Sequence, residues 1–308
     1  MREDLDRAGI TVLERGWLSS NNVLIRGAAG SGATLVDTGY WIHADQTVAL
    51  VRHALAGEPL LRVLNTHLHS DHCGGNAEIQ RVFGCGIDVP AGEAEAADAW
   101  DSQQLTYEAT GQFCPRFRRT GVLSPGSVLI AGRWHWEVVA SPGHDPRSVA
   151  LYQPDLEVLI SADALWENGF GVVFPELEGS SAFADVRQTL EAFSCLRVRW
   201  VIPGHGQPFS EMRSAVDRAL RRLEGFEVDP AMHALHAVKV LIKFRLLETR
   251  EATWESLLAW LAGVRYFELV RRRYFPSSDS SGWLQALVES MIRRGALASV
   301  GNRIKNEP

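Results

Sequence analysis

The 308-residue sequence predicts an α+β chain, with strands and helices mixed over residues 1–210 and a mostly helical segment over 211–308. Three observations lead there. Short apolar runs end repeatedly in an acid or an imidazole beside a glycine, as buried strands do where they leave a sheet. Stretches with helical spacing separate several of those runs. After residue 210 the strand-then-ligand pattern stops and helical spacing continues alone.

Residues 11–39 alternate short apolar runs with Gly and Asn turns and read as a set of strands. Over 42–56, Ala44, Val48, Val51 and Leu55 fall at helical spacing, and the pattern stops at Gly57 before Pro59. Leu60-Leu61-Arg62-Val63-Leu64 reads as a short buried strand. A short helix is expected over 76–83, with Asn76 able to cap it. Residues 91–111, rich in Ala and Glu and free of Pro, read as one helix interrupting the strands. Strands resume over 127–163, parted by turns such as Gln153-Pro154-Asp155. A helix over 183–196 precedes the strand Trp200-Val201-Ile202. Helices are then expected over 210–224, 231–249, 254–273 and 282–295, with a break at Val228-Asp229-Pro230. Residues 294–300 resemble the end of a winged-helix motif: a helix, a glycine, a short apolar strand.

The densest chemistry lies at 66–75, Thr-His-Leu-His-Ser-Asp-His-Cys-Gly-Gly. His67, His69, Asp71 and His72 offer three imidazoles and a carboxylate, a set suited to zinc or iron. On a strand, positions 67, 69 and 71 share one face, and 72 joins them only if the chain turns. Gly74-Gly75 is expected to supply conformational freedom beside that turn. Four further strand ends carry matching groups: Asp37 in Val36-Asp37-Thr38-Gly39, His144 in Ser141-Pro142-Gly143-His144, Asp163 in Ser161-Ala162-Asp163, and His205 in Pro203-Gly204-His205-Gly206.

This ordered set, Asp37-Thr38-Gly39, His67-x-His69-x-Asp71-His72, His144, Asp163 and His205, resembles the metallo-β-lactamase-fold hydrolases. Its wording is most similar to the glyoxalase II branch. The resemblance implies an αββα sandwich with metals at one edge, over a catalytic domain of residues 1–210 followed by a winged-helix-like domain over 211–308. It also implies two divalent ions per chain, zinc first, with iron or manganese as alternatives. His67, His69 and His144 would bind the first ion; Asp71, His72 and His205 the second; Asp163 would bridge them. Asp71 would also take part in catalysis by accepting a hydrogen bond from the nucleophile, and Asp37 would support catalysis by orienting the metal loop. Such a pair of ions lowers the pKa of water from about 15.7 toward roughly 7, so no serine or cysteine nucleophile is required. A bridging Asp163 argues against a true β-lactamase and for thioester, lactone or phosphodiester hydrolases.

The chain is long and apolar enough, at 46% hydrophobic, to bury a large core. It has no run of about 18 apolar residues, and its charged N-terminus has no apolar stretch behind it, so no membrane span and a cytoplasmic location are expected. Cys73, Cys85, Cys114 and Cys195 show neither metal pairing nor a disulfide framework, and Cys73 is expected to pack behind the metal loop. The net charge of −6 is uneven. Residues 1–209 carry 15 Lys+Arg against 25 Asp+Glu, and residues 210–308 carry 16 against 12.

A small-molecule ester, thioester or lactone is the expected substrate, with nucleic acid as the alternative suggested by the more basic C-terminal third. An iron-dependent sulfur dioxygenase shares the scaffold, and a binding protein with little turnover is the non-enzymatic option. Trp166, Phe170 and Phe174 either line a pocket or pack the sandwich edge. Arg147 is a candidate anion contact. His233 and His236 are expected beside the site's mouth or at the surface, and not as ligands. The apolar stripe Leu235, Val238, Leu241 and Ile242 needs a partner surface, either the sandwich or a second copy in a homodimer.

Overall fold

The structure, a computed structural model, describes residues 2–28 and 31–307. Eleven strands build two sheets. The first joins β1 (Ile10–Leu13), β2 (Asn22–Ile25), β3 (Ala33–Val36), β4 (Leu60–Leu64), β5 (Gly86–Pro90) and β6 (Gly121–Leu123) in that order. The second joins β7 (Val128–Ala131), β8 (Trp134–Ala140), β9 (Val149–Gln153), β10 (Val158–Ala162) and β11 (Trp200–Pro203). β3 to β6 run parallel, as do β10 and β11, and the remaining pairs are antiparallel.

Strands buried on both faces explain why their sequences are apolar throughout instead of alternating. In β9, Val149 and Leu151 pack into the layer between the sheets, while Ala150 and Tyr152 face outward beneath helices. The layer between the sheets takes Ile10, Val36 and Leu64 from one side and Trp136, Val138 and Ile160 from the other. Outside the first sheet lie the helices Ala44–Leu55 and Asn76–Phe83; outside the second lie Phe183–Ser194 and Met212–Val228. This is the expected αββα sandwich.

The remaining helices, Pro230–Thr249, Trp254–Gly263, Arg265–Tyr274 and Ser280–Arg293, surround a separate core. A small sheet of β12 (Glu251–Thr253), β13 (Leu297–Val300) and β14 (Arg303–Asn306) closes it, with β13 and β14 paired as an antiparallel hairpin. Asp229 caps the Pro230 helix by accepting from the Met232 N–H at 3.3 Å, which accounts for the Val228-Asp229-Pro230 break. No helix among the described residues is long and apolar enough to cross a membrane.

Several expectations need correction. Residues 91–111 form no single helix: a 3-10 turn and the helix Ala94–Ala99 stop at Trp100, and a short Tyr107–Thr110 helix follows Thr106. Trp100 and Thr106 both take positive φ, which an α-helix cannot absorb. Likewise 254–273 is two helices, broken where Val264 turns extended after Gly263. Asn76 caps nothing; its amide donates to Asn65 Oδ1 at 2.7 Å and its oxygen accepts from Thr38 Oγ1 at 2.8 Å, tying the metal loop to β3. The Pro230 helix does bury one broad stripe, His233, Ala234, Ala237, Val238, Leu241, Ile242 and Leu246, with Leu235 only half-buried. Much of that stripe packs into the chain's own C-terminal core, and the helix touches the Met212 helix, the Arg265 helix and β14.

Candidate metal centre

The chain ends of β3, β4, β8, β10 and β11 meet at one edge of the sandwich, and the groups named from sequence stand on the loops that leave them. The loop after β4 does not stay extended. His69 is the last extended residue, and Ser70–Cys73 form one helical turn. That turn splits the motif: His67 and His69 join His144, while Asp71 and His72 join Asp163 and His205, and in each group the ligand atoms lie within 4.8 Å of one another. Gly74 and Gly75 have ordinary helical φ of −61° and −83°, so their expected conformational freedom goes unused. They give room instead. A Cβ on Gly74 would lie 2.4 Å from the Ser70 carbonyl oxygen, and one on Gly75 2.5 Å from that of Thr38.

Asp163 arrives through a distortion. The β10–β11 register shifts between Ile160 and Ala162, and Ala162 sits at φ 47°, swinging the next residue out of the sheet plane. Its Oδ1 then lies 3.3 Å from His72 Nε2 and 3.8 Å from His205 Nε2, while Oδ2 lies 3.4 Å from His144 Nε2. One carboxylate therefore faces both groups. His205 Nε2 is 3.1 Å from Asp71 Oδ2. Gly204 permits the approach, because a Cβ there would stand 2.1 Å from Asp163 Oδ1.

Asp37 holds no position among the ligand atoms; it holds their frame. At φ 56°, its Oδ1 accepts from the Thr66 N–H at 2.9 Å, and its Oδ2 accepts from Thr66 Oγ1 at 2.8 Å and from His72 Nδ1 at 2.7 Å. Because a carboxylate only accepts, the last bond requires a proton on His72 Nδ1, and it turns Nε2 inward. His144 is fixed the same way, with Nδ1 donating to the Val172 carbonyl at 2.6 Å and Nε2 facing the centre, 2.8 Å from His69 Nδ1.

The donor set fits metal. Nε2 of His67, of His69 and of His72 is buried with no hydrogen-bond partner, an expensive state that an ion in each group would relieve. Burial, with neighbouring imidazoles, pushes the His67 pKa well down, and burial pushes His69 and His144 down to about 4. All three are therefore neutral with free lone pairs at pH 7, as ligation requires. Burial opposes ionisation of Asp163, yet the imidazoles that surround it, His72 foremost, hold its carboxyl well below the usual range. These are two His/Asp groups able to hold a dinuclear metal site.

Residues 15–205 match the metallo-β-lactamase superfamily domain. The chain belongs to that superfamily. Among curated relatives it is 30% identical over 146 residues to the hydroxyacylglutathione hydrolase of Hyphomonas neptunium (47% of this chain, 48% of that one). It is 29% identical over 173 residues to the human acyl-coenzyme A thioesterase MBLAC2 (51% and 60%). The matches thus span about half to three-fifths of those relatives' length. A metallo-beta-lactamase family protein of Thermus thermophilus shares the fold, with a TM-score of 0.56 at 20% identity, covering 97% of this chain and 99% of that one.

Within this superfamily site, the structure adds residues that sequence reading missed. Trp17 stacks on His205 with centroids 5.3 Å apart and Trp166 meets it edge-on at 5.5 Å, so two indoles wall one side. Trp17 sits in a turn between β1 and β2, and nothing in its sequence neighbourhood marks it. Asp145, next to His144, is buried with Oδ2 3.7 Å from His69 Nε2. Behind it, burial and the Asp145 charge push Glu93 up to about 8, against the pull of Arg147 at 3.5 Å. Arg147 therefore pairs with Glu93 and does not line the cavity, contrary to its expected role as an anion contact.

The aromatic loop divides: Trp166 and Phe174 line the cavity, whereas Phe170 is buried in the helix-side core. Cys73 packs behind the loop against Tyr107 and Cys114. His233 is buried, not superficial, and its Nε2 accepts from the Val173 N–H at 3.0 Å, while His236 faces the cavity.

Proposed function

We propose that this chain is a di-metal hydrolase of small-molecule esters, thioesters or lactones, thioesters foremost, with zinc in both positions. One observation carries the reading: the centre that Asp163 faces with both oxygens opens into a cavity of about 660 Å³ walled mainly by apolar side chains. Such a cavity suits a small acyl compound. The two curated relatives named above support the thioester choice, since both names denote cleavage of an acyl–sulfur bond. The basic C-terminal residues weigh against nucleic acid. Arg271 and Arg272 both pair with Glu268, and Arg293 lies 3.6 Å from Glu289.

Residues His67, His69 and His144 would hold one ion, Asp71, His72 and His205 the other, with Asp163 between. Bound there, the ions supply an acidified water and Lewis-acid polarisation of the acyl carbonyl. The protein's own residues do the positioning. Asp37 fixes the His72 ring, the Val172 carbonyl fixes the His144 ring, and Asp71 would accept a hydrogen bond from the nucleophile. Trp17 and Trp166 exclude bulk water on the His205 side, and Phe174 does so beside His69 and His144. Residues 1–210 act as the catalytic unit, and 211–308 shape substrate access through the Pro230 helix. Cys73 and Cys114, 3.6 Å apart and unbridged, fit a reducing compartment such as the cytoplasm.

Metal analysis of gently purified protein tests the centre; two zinc ions per chain are expected. Fewer than one ion, with no activity regained on reloading with zinc, iron or manganese, overturns it. A panel of esters, thioesters, lactones and RNA tests the substrate. RNA cleavage without thioester cleavage refutes the acyl reading, and iron with oxygen consumption points to the dioxygenase.

A further inference from the structure

The cavity carries positive charge outside the two candidate ligand groups. Arg222, on the Met212–Val228 helix, and Lys243, on the Pro230–Thr249 helix, both line it, as does His236 on the latter helix. The guanidinium is held on three sides. Its Nη2 donates to His236 Nε2 at 2.8 Å, its carbon lies 5.7 Å and 5.3 Å from the ring centroids of Phe170 and Phe226, and a Cβ on Gly169 would stand 2.8 Å from Nη1. Its partner brings no negative charge, since an imidazole is either neutral or cationic; burial, reinforced by Arg222 and Lys239, pushes His236 down to about 4, which leaves it a neutral acceptor.

Among the described residues no carboxylate forms an ion pair with Arg222 or with Lys243, whose Nζ donates to the Glu307 carbonyl at 3.0 Å. Glu167, the one acid lining the cavity outside the metal centre, is exposed; its backbone carbonyl is taken by Arg218. An arginine cannot shed its charge to relieve partial burial, so such a site lacks a counter-charge. A planar fork fixed between aromatic rings is the geometry that binds carboxylate or phosphate oxygens. The same cavity is lined by the apolar Val172, Phe174, Val240, Leu241 and Phe244.

We propose that Arg222 binds an anionic oxygen group of the substrate, a carboxylate or a phosphate, while the apolar wall holds the chain linking that group to the reacting carbonyl. The proposal rests on the acyl-hydrolase reading and names its substrate class: anionic thioesters. The anion can come from either half of the thioester, and the test separates the two. Four substrates are compared with metal-loaded protein: a butanoyl thioester of N-acetylcysteamine, which is neutral; the same thiol carrying a glutaryl group; and butanoyl thioesters of glutathione and of coenzyme A.

Arg222→Gln keeps a donor for His236 and removes the charge. Its kcat/KM is expected to fall about 10- to 100-fold, mainly through KM, on at least one anionic substrate. On the neutral thioester it is expected to stay within about twofold, and Arg222→Lys should restore part of the loss. Loss on the glutaryl compound places the anion on the acyl side; loss on the glutathione or coenzyme A compound places it on the thiol side. An equal fall on all four, or no fall on any, overturns the proposal. If the wild-type protein cleaves none of them, the thioester reading has failed. The same four compounds then serve as unreacted ligands, and dissociation constants from calorimetry on wild type and Arg222→Gln decide the anion site by the same comparison.

Discussion

Replacing Asp37 with Asn changes one oxygen for an NH2 group and little else, because Asn tolerates the left-handed backbone at φ 56° as Asp does. The consequence is large because of what that oxygen touches. With the amide oxygen kept toward the Thr66 N–H, at the place 2.9 Å away, the new NH2 falls where Oδ2 accepted from Thr66 Oγ1 and His72 Nδ1. The threonine hydroxyl can turn its proton away. The imidazole can comply only by moving its proton to Nε2, the atom that lies 3.3 Å from Asp163 Oδ1 and is proposed to ligate. Losing a buried charge-assisted hydrogen bond costs about 1.5–3 kcal/mol, or roughly 10- to 150-fold in affinity, close to the 10- to 100-fold typical for such supporting carboxylates. The assay is zinc titration of metal-free protein against a chromophoric chelator. One of the two equivalents is expected to weaken by about 10- to 100-fold, while the other, held by His67, His69 and His144, changes little. Two equivalents binding as tightly as in wild type would refute the argument that Asp37 sets the His72 tautomer.

Three further outcomes follow from named contacts. Asp163→Ala removes the group that faces both ligand sets, so kcat is expected to drop about 1,000-fold or more with the circular dichroism spectrum unchanged; near-normal turnover sinks the bridging assignment. His233→Ala strands the buried Val173 N–H and should cost about 1–3 kcal/mol in denaturant unfolding with both metal equivalents retained; a lost equivalent would make His233 a ligand after all. Glu93, pushed up to about 8 by burial and Asp145, keeps its proton in the folded chain after the unfolded chain has released it, so its contribution to stability falls as pH climbs from about 4.5 through 8. In metal-loaded protein, Glu93→Gln should therefore gain on wild type by a few degrees of melting temperature at pH 9 relative to pH 6; a gap that does not widen with pH removes Glu93 as the cause.

Legibility from sequence tracked how local the controlling physics was. The strands that end in ligands were readable because burial on both faces leaves uninterrupted apolar runs such as Val158-Leu159-Ile160. β5 and β6 were missed because Gly86, Pro90 and Gly121 make them look like loop, although parallel pairing, of β5 with β4 and of β6 with β5, stabilises them. The 91–111 segment misled through composition: Ala and Glu favour helix, but the breaks at Trp100 and Thr106 come from tertiary packing, Trp100 lying against Tyr107 and Phe117. The centre's candidate ligands and their division into two groups were implied by the family resemblance; the helical turn at Ser70–Cys73 is the physical cause of that division. Trp17, Asp145 and Arg222 were out of reach because each acquires its role only through a partner distant in sequence or from a cavity wall.

The site's geometry is a property of the sheet packing as much as of the loops. His67, His69, Asp71 and His72 leave the first sheet, while His144, Asp163 and His205 leave the second, so neither sheet alone brings a full ligand set together. The spacing between the two sets is fixed by what lies between the sheets, where Trp136 fills the interior with Val36, Leu64, Val138 and Ile160 close by. Close-packed interiors transmit small volume changes, so a shift of the sheets is passed to ligand atoms that require placement within about 0.5 Å. The C-terminal helices stand outside that constraint. They contribute no atom to either ligand group, but they wall the cavity with Val240, Leu241 and Phe244. On the function proposed above, substitutions on the cavity side of the Pro230–Thr249 helix would change the cavity's shape and charge and leave both candidate ligand groups in place, so substrate choice and metal chemistry would rest on separable parts of the chain.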